Sequence, residues 1–284
     1  MKFQHFFITL LLISSTLLSA QENTEKVKKE RRFKITKGFV SWGYNRSAYT
    51  KSDVHIKGEG VDFTVHDAVG KDDPSDFNAN VYLNPLRFTI PQFDFRVGVM
   101  VNDNFFLSIG WDHMKYKFQN LDYKVSGHID PNKSSVYGGN YDGSTVSVPK
   151  SFYYHEHTDG LNYIHLSVDK PMDVFKTKNN MINFKLNFSA GTGPVAPWTD
   201  ADMFGQHYRT KSIHFAGWGV NLGIKPRLFF FNEHLYAQFT LRGGYINLWD
   251  FIMYNQSTDE IDARGQQDFF YREHAVVIGY MFKF

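Results

Sequence analysis

The chain has 284 residues, with 31 lysines and arginines against 29 aspartates and glutamates, 12 histidines and no cysteine. A formal charge of +2, with no basic stripe interleaved with stacking aromatics, excludes a nucleic-acid-binding reading. The missing cysteine excludes disulfides, thiol catalysis, a cysteine-linked lipid anchor and thiolate zinc clusters.

In chain order, residues 1–20, MKFQHFFITLLLISSTLLSA, carry Lys2, an apolar core to Leu18 and the small pair Ser19-Ala20. This is the pattern of a secretory signal peptide, with Gln21 as the expected mature start; an uncleaved anchor is the competing reading. Residues 21–36 form a basic tail with Lys28, Lys29, Arg31 and Arg32, expected to be solvated in the periplasm. Beyond Ala20 no apolar run approaches the ~20 residues that a spanning helix needs.

From residue 37 the chain alternates apolar and polar or small residues, the period of a strand with two unlike faces. Strands are expected near 38–50, 87–101, 104–118, 159–169, 181–192, 212–229, 234–249 and 269–284. The clearest is MINFKLNFSAG, where Ile182, Phe184, Leu186, Phe188 and Ala190 oppose Asn183, Lys185, Asn187, Ser189 and Gly191. Val40, Trp42 and Tyr44 repeat the pattern near the start, as do Phe95, Val97, Val99 and Val101 before the turn signal Asn102-Asp103-Asn104. Connections are short at 102–104 and 230–234. They are long and polar at about 51–86, 119–158, 193–211 and 250–268. The 51–86 segment holds VDFTVHDAV, read as a hairpin above the membrane; if it spans instead, eight crossings become ten.

A soluble sandwich alternates too, with its apolar face in the core. Short turns alternating with long loops, and a polar face crowded with Gly, Ser and Asn, favour the inverted arrangement of a lipid-exposed barrel. The final stripe Val276, Ile278, Tyr280, Phe282 and Phe284 resembles the C-terminal assembly signal of bacterial outer-membrane β-barrel proteins. That resemblance implies an all-β transmembrane antiparallel up-and-down barrel of about eight strands, with short periplasmic turns and long extracellular loops. It also implies a last strand read by the barrel-assembly machinery, and an address in the outer membrane of a Gram-negative bacterium. Outer-membrane lipid and lipopolysaccharide are then the expected surroundings, and other outer-membrane proteins the candidate partners.

An eight-stranded barrel is filled by its own side chains. Strand parity puts Arg96, Lys185, Lys225 and Arg242 inside with Asp112 and Glu273: an ionic plug, or on a sharper reading an anion-attracting lumen. His165 and Ser167 share a face, and a serine needs an adjacent base to act as nucleophile. The pair resembles the His and Ser of outer-membrane lipid A deacylases. However, Val168 and Asp169 depart from that family's small polar continuation, no acid partner is identifiable, and parity turns both side chains away from lipid. His155 and His157 share a face that could offer two nitrogens to a metal, the plainer expectation being an exposed polar strand end. The acidic runs GKDDPSD (70–76) and WTDAD (198–202) lack the spacing of a calcium loop. Loop aromatics such as Tyr137, Tyr141, Tyr153, Tyr154, Trp198 and Tyr208 suit loop packing or partner binding. No cofactor is called for. The expected role is a non-enzymatic structural, interaction or surface-binding component, with a lipid-modifying enzyme or a small anion-preferring porin as alternatives.

Overall fold

The computed structural model describes residues 34–76, 78–82, 87, 91–179 and 181–284. The expected signal peptide and most of the basic tail lie outside these residues. Strands β1 (Ile35–Tyr49), β2 (Ser52–Gly58), β3 (Val61–Ala68) and β4 (Gly70–Lys71) precede a single helical turn, α1 (Ala79–Tyr82). They are followed by β5 (Phe93–Val101), β6 (Phe105–Met114), β7 (Lys117–Phe118), β8 (Asp122–Ile129), β9 (Gly139–Ser147) and β10 (Tyr153–Glu156). The rest are β11 (Leu161–Lys176), β12 (Ile182–Pro197), β13 (Asp200–Met203), β14 (Gln206–Arg209), β15 (Gly217–Phe230), β16 (Leu235–Tyr254) and β17 (Ile261–Lys283).

Eight strands pair antiparallel in the order β1–β5–β6–β11–β12–β15–β16–β17, and β17 also pairs with β1, from Lys37↔Lys283 to Tyr49↔Tyr271. At one end the connections are tight. Asn102 and Asp103 both adopt left-handed φ near 50°, the geometry of a primed hairpin turn that follows the twist of its strands. Lys34 and Phe284 lie at this same end, where Asn102 N–H donates to the Lys34 carbonyl and Phe284 N–H to that of Thr36.

At the other end β17 outgrows β1. Its residues Ala263–Gln267 pair with β2, and the sheet continues through β3, β8 and β9. A second sheet, β14–β13–β10–β7–β4, lies in the same half. Segments 51–86 and 119–158, expected as long loops, therefore hold six strands, β2–β4 and β8–β10; VDFTVHDAV, expected as a hairpin, supplies one arm of the β2–β3 hairpin, and β16 and β17 extend through most of 250–268 to leave a short turn.

The core explains why. Between these outer elements lies an apolar cluster including Val54, Ile56, Phe63, Val65, Tyr116, Phe118, Val125, Phe152, Tyr153, Phe251 and Phe269, all almost wholly buried. Tyr137 and Tyr141 pack against it. Removing this much apolar surface from water offsets the backbone entropy of ordering the outer segments.

β17 carries both environments on one strand. Its inward residues run Ala263, Gly265, Gln267, Phe269, Tyr271, Glu273, Ala275, Val277, Gly279, Met281, all buried. Its outward residues change character partway: Arg264, Gln266, Asp268, Arg272 and His274, interrupted by the exposed ring of Phe270, then Val276, Ile278, Tyr280 and Phe282 without a polar residue between them. On β15 the outward row Trp218, Val220, Leu222, Ile224, Pro226, Leu228, Phe230 is apolar throughout. Twelve steps of about 3.3 Å at a tilt of about 40° rise about 30 Å, the thickness of a bilayer's hydrocarbon core. Leu222 is 70% exposed, Leu166 66% and Val276 64%. In water a belt of this kind would be a severe liability.

Candidate functional site

The interior of the eight-strand portion is polar and layered. At the tight-turn end, Glu233 accepts from Lys37 at 2.7 Å and Lys185 at 2.9 Å. Burial alone would raise this carboxyl; the two ammonium groups overcome it and hold the pKa at about 2. Above it, the Arg227 guanidinium sits among four rings, with centroids at 4.4 Å for Tyr236, 5.1 Å for Phe106, 5.7 Å for Phe229 and 5.8 Å for Phe39. Its Nε donates to Gln238 at 2.8 Å. Next, Lys225 Nζ donates to both oxygens of Asp169, at 2.7 and 2.9 Å.

The central layer is the densest. Arg242 donates to Asp112 at 2.6 Å, to Asp94 at 3.1 Å and to Glu273. Arg96 Nε donates to Asp94 at 3.0 Å. His165 Nε2 lies 2.9 Å from Asp112 Oδ2, and its Nδ1 lies 2.8 Å from Ser167 Oγ. A carboxylate only accepts, so Nε2 carries the hydrogen and Nδ1 accepts from the serine hydroxyl. Gly110 makes room for the imidazole: a Cβ there would lie 2.4 Å from the His165 ring.

All six residues assigned to the lumen by parity lie on this inner face: Arg96, Asp112, Lys225, Arg242 and Glu273 buried, and Lys185 at its mouth. Three partners were not singled out, Asp94, Asp169 and Arg227. Each lies two residues along from a recognised inward group (Arg96, Ser167 and Lys225), so parity alone would have found them. Their pairing could not be read, because it joins residues as far apart as Asp94 and Arg242.

The acid partner absent from the sequence reading of His165 and Ser167 is Asp112. Geometry nonetheless gives the row a structural part. Both side chains face inward, Asp112 is shared with Arg242, and the three residues are at most 3% exposed. Within the buried layers, four cations (Arg96, Lys225, Arg227, Arg242) face four carboxylates (Asp94, Asp112, Asp169, Glu273). At the mouth Lys37 and Lys185 share the Glu233 carboxylate.

His155 and His157 are fully buried, against the expectation of an exposed strand end. The outer cluster encloses them: His155 stacks on Tyr116 and Phe251, and its Nε2 meets Gln267 Oε1 at 3.3 Å. Burial pushes His155 down to about 3, and His157 falls too, through burial and its neighbour His155. They do not belong to either grouping of three metal-competent side chains among the described residues. One grouping, Asp94, Asp112 and Glu273, is held by Arg242. The other, Asp200, Asp202 and His207, takes in both aspartates of the WTDAD run; Lys150 lies 2.9 Å from Asp202 and His207 bridges the two carboxylates. In the GKDDPSD run Asp73 pairs with Lys117 at 3.4 Å, while Asp72 accepts from Gln92 and from the Ser47 N–H.

No protein-family model matches the chain, and no curated protein sequence matches it. Among solved structures it is similar to the outer-membrane protease OmpT from Escherichia coli, at 11% identity and TM-score 0.38, over 92% of this chain and 100% of that one. It is also similar to Neisserial surface protein A (NspA), at 9% identity and TM-score 0.31, over 86% and 96%. A third is Ail, the attachment invasion locus protein of Yersinia pestis, solved with a heparin analogue, at 10% identity and TM-score 0.28, over 88% and 100%. Scores this low carry no residue role, ligand or activity to this chain.

Proposed function

We propose that the chain is an integral outer-membrane barrel of a Gram-negative bacterium, crossing with β1, β5, β6, β11, β12, β15, β16 and β17. In this reading the filled barrel anchors a folded β domain at the cell surface, where it serves as a structural or interaction platform for surface binding or within a larger outer-membrane assembly. The carrying observation is β17, whose outward face turns from mostly polar, with Phe270 the one apolar member, to wholly apolar from Val276 on, while its inward face stays buried. Only a change of solvent, from water to hydrocarbon, makes both halves stable.

The rim of the apolar belt supports the same placement. Arg272 and His274 face outward there with no hydrogen bond or ion pair among the described residues, and β1 pairs Arg46 with His274. The Arg272 guanidinium at this height suits the phosphate groups of lipid or lipopolysaccharide. On the barrel-assembly side, the stripe Val276–Phe284 is the segment the insertion machinery would read.

Neither alternative gains from the interior. A small anion-preferring porin needs an open path, and the buried ion pairs of Arg96, Arg242 and Lys225 lie across this lumen. A lipid-modifying enzyme needs His165 and Ser167 against lipid, and they face away from it. Planar-bilayer recording of purified protein, folded by the criterion of heat-dependent gel mobility, should show no conductance steps. Stable anion-selective steps from the wild-type chain would overturn the filled-barrel reading.

A further inference from the structure

The outer sheet holds a second serine–histidine–aspartate row, and this one faces solvent. His66 on β3 places Nε2 2.7 Å from Ser126 Oγ on β8, and Nδ1 3.0 Å from Asp53 Oδ2 on β2. Since Asp53 only accepts, Nδ1 carries the hydrogen, and the Nε2 lone pair accepts the Ser126 hydroxyl. Asp53 is itself oriented: its Oδ1 accepts the backbone N–H of Asp67, a residue with left-handed φ of 53°.

Two ladder irregularities frame the row. The β2–β3 register shifts between Ser52 and Val54, around Asp53; the β8–β9 register shifts between Lys124 and Ser126. Bulges re-aim side chains out of a regular ladder and recur beside active sites. His66 is one-third exposed and Asp53 more than half. The same sheet carries simple cross-strand pairs, His55 with Asp62 and His128 with Asn140, but only His66 joins a hydroxyl to a carboxylate among these.

We propose that Ser126, His66 and Asp53 form a nucleophilic hydrolase site for small acyl esters of polar alcohols presented at the cell surface. Ser126 Oγ attacks the ester carbonyl carbon as its proton passes to His66 Nε2, and the carbonyl electron pair moves onto oxygen. Collapse breaks the carbon–alkoxide bond, and the imidazolium returns its proton to the departing alcohol. Water then attacks the acyl-serine and gives a proton to Nε2; collapse releases the acid, and that proton returns to Oγ. Asp53 holds the ring and stabilises its charged form. Lys124, exposed two residues before Ser126 on the same face, is the cation this strand offers to the oxyanion, against the Asp142 carboxylate across the ladder. The neighbours on that face are polar, Thr64 across one register and Asp142 across the other. That setting fits an acetyl-sized acyl group better than a long chain.

The test is phosphonylation of the purified full chain by a fluorophosphonate probe, with adduct mapping by peptide mass spectrometry and hydrolysis of p-nitrophenyl acetate. A single adduct on Ser126 is expected, lost in Ser126→Ala and slowed at least about 100-fold in His66→Gln. Ser167→Ala should leave it unchanged. An unlabelled wild-type chain, an adduct on Ser167 or any other residue, or labelling that survives Ser126→Ala would overturn the proposal. Adduct mapping uses the unaltered chain, so the result does not depend on a variant folding. It is also independent of the conductance result.

Discussion

His155 and His157 show what one buried imidazole costs. Each is enclosed by rings where its neutral form is favoured, so protonation must be coupled to opening the outer core. His155 titrates near 3 when folded, against about 6.5 in an unfolded chain. Its folded pKa is depressed, so its contribution is complete above about pH 6.5 and lost as pH falls toward 3. At pH 5 the loss is about 2 kcal/mol. Denaturant unfolding of the outer domain, followed by tyrosine and tryptophan fluorescence, should show that loss in the wild type, and His155→Phe should shrink it. An acid dependence unchanged by His155→Phe would place the titrating group elsewhere. Glu233 has the opposite charge type and a lower window. With a folded value near 2 against 4.5, it stabilises fully above about pH 4.5 and loses this as pH falls toward 2. At the screened mouth, Glu233→Gln should cost about 1–2 kcal/mol at pH 7 by the same unfolding measurement and nothing below about pH 2. Equal cost at both pH values would mean that packing, not charge, holds the mouth.

Strand β17 allows the solvent of each half to be tested one residue at a time. Ile278 is 63% exposed and Gln266 is likewise outward, one in the apolar stretch and one in the polar. If both met water, a lysine at either would be nearly neutral. With the lower half in hydrocarbon, Ile278→Lys should cost about 2–4 kcal/mol and Gln266→Lys less than about 0.5, measured by denaturant unfolding from lipid vesicles. Equal and small costs would refute the lipid-facing assignment. This strand also shows what was legible in advance. Period 2 sorts side chains to two faces without knowledge of pairing, which is why Arg96, Asp112 and Arg242 could be placed on one inner surface. Period 2 does not say which face is dry. In the barrel the polar face turns inward; in the outer sheets the apolar face does, so segment 119–158 looked like a loop although Tyr123 and Val125 alternate with Lys124 and Ser126. The Ser126–His66–Asp53 row was invisible for another reason. Its members are 60 and 13 residues apart, and two register shifts bring them together.

At the scale of the whole molecule, the two halves impose a direction. The tight-turn end carries Asn102–Asn104, residues 177–179 and 181, and Phe231–His234, with Lys34 and Phe284 beside them. The opposite end carries the sheets of β2, β3, β8 and β9. A barrel inserted with its large domain outward leaves the short turns in the periplasm. Because the chain has no cysteine, single replacements report this without background. Val136, 78% exposed between β8 and β9, and Lys178, exposed in the β11–β12 turn, mark the two ends. A membrane-impermeant maleimide added to intact cells should label Val136→Cys. It should reach Lys178→Cys only after the outer membrane is permeabilised, whereas with a soluble exported protein neither site would label on intact cells. Labelling of Lys178→Cys alone would invert the orientation and move the Ser126 face away from any ester outside the cell. Labelling of both sites before permeabilisation would show that no membrane separates the two ends.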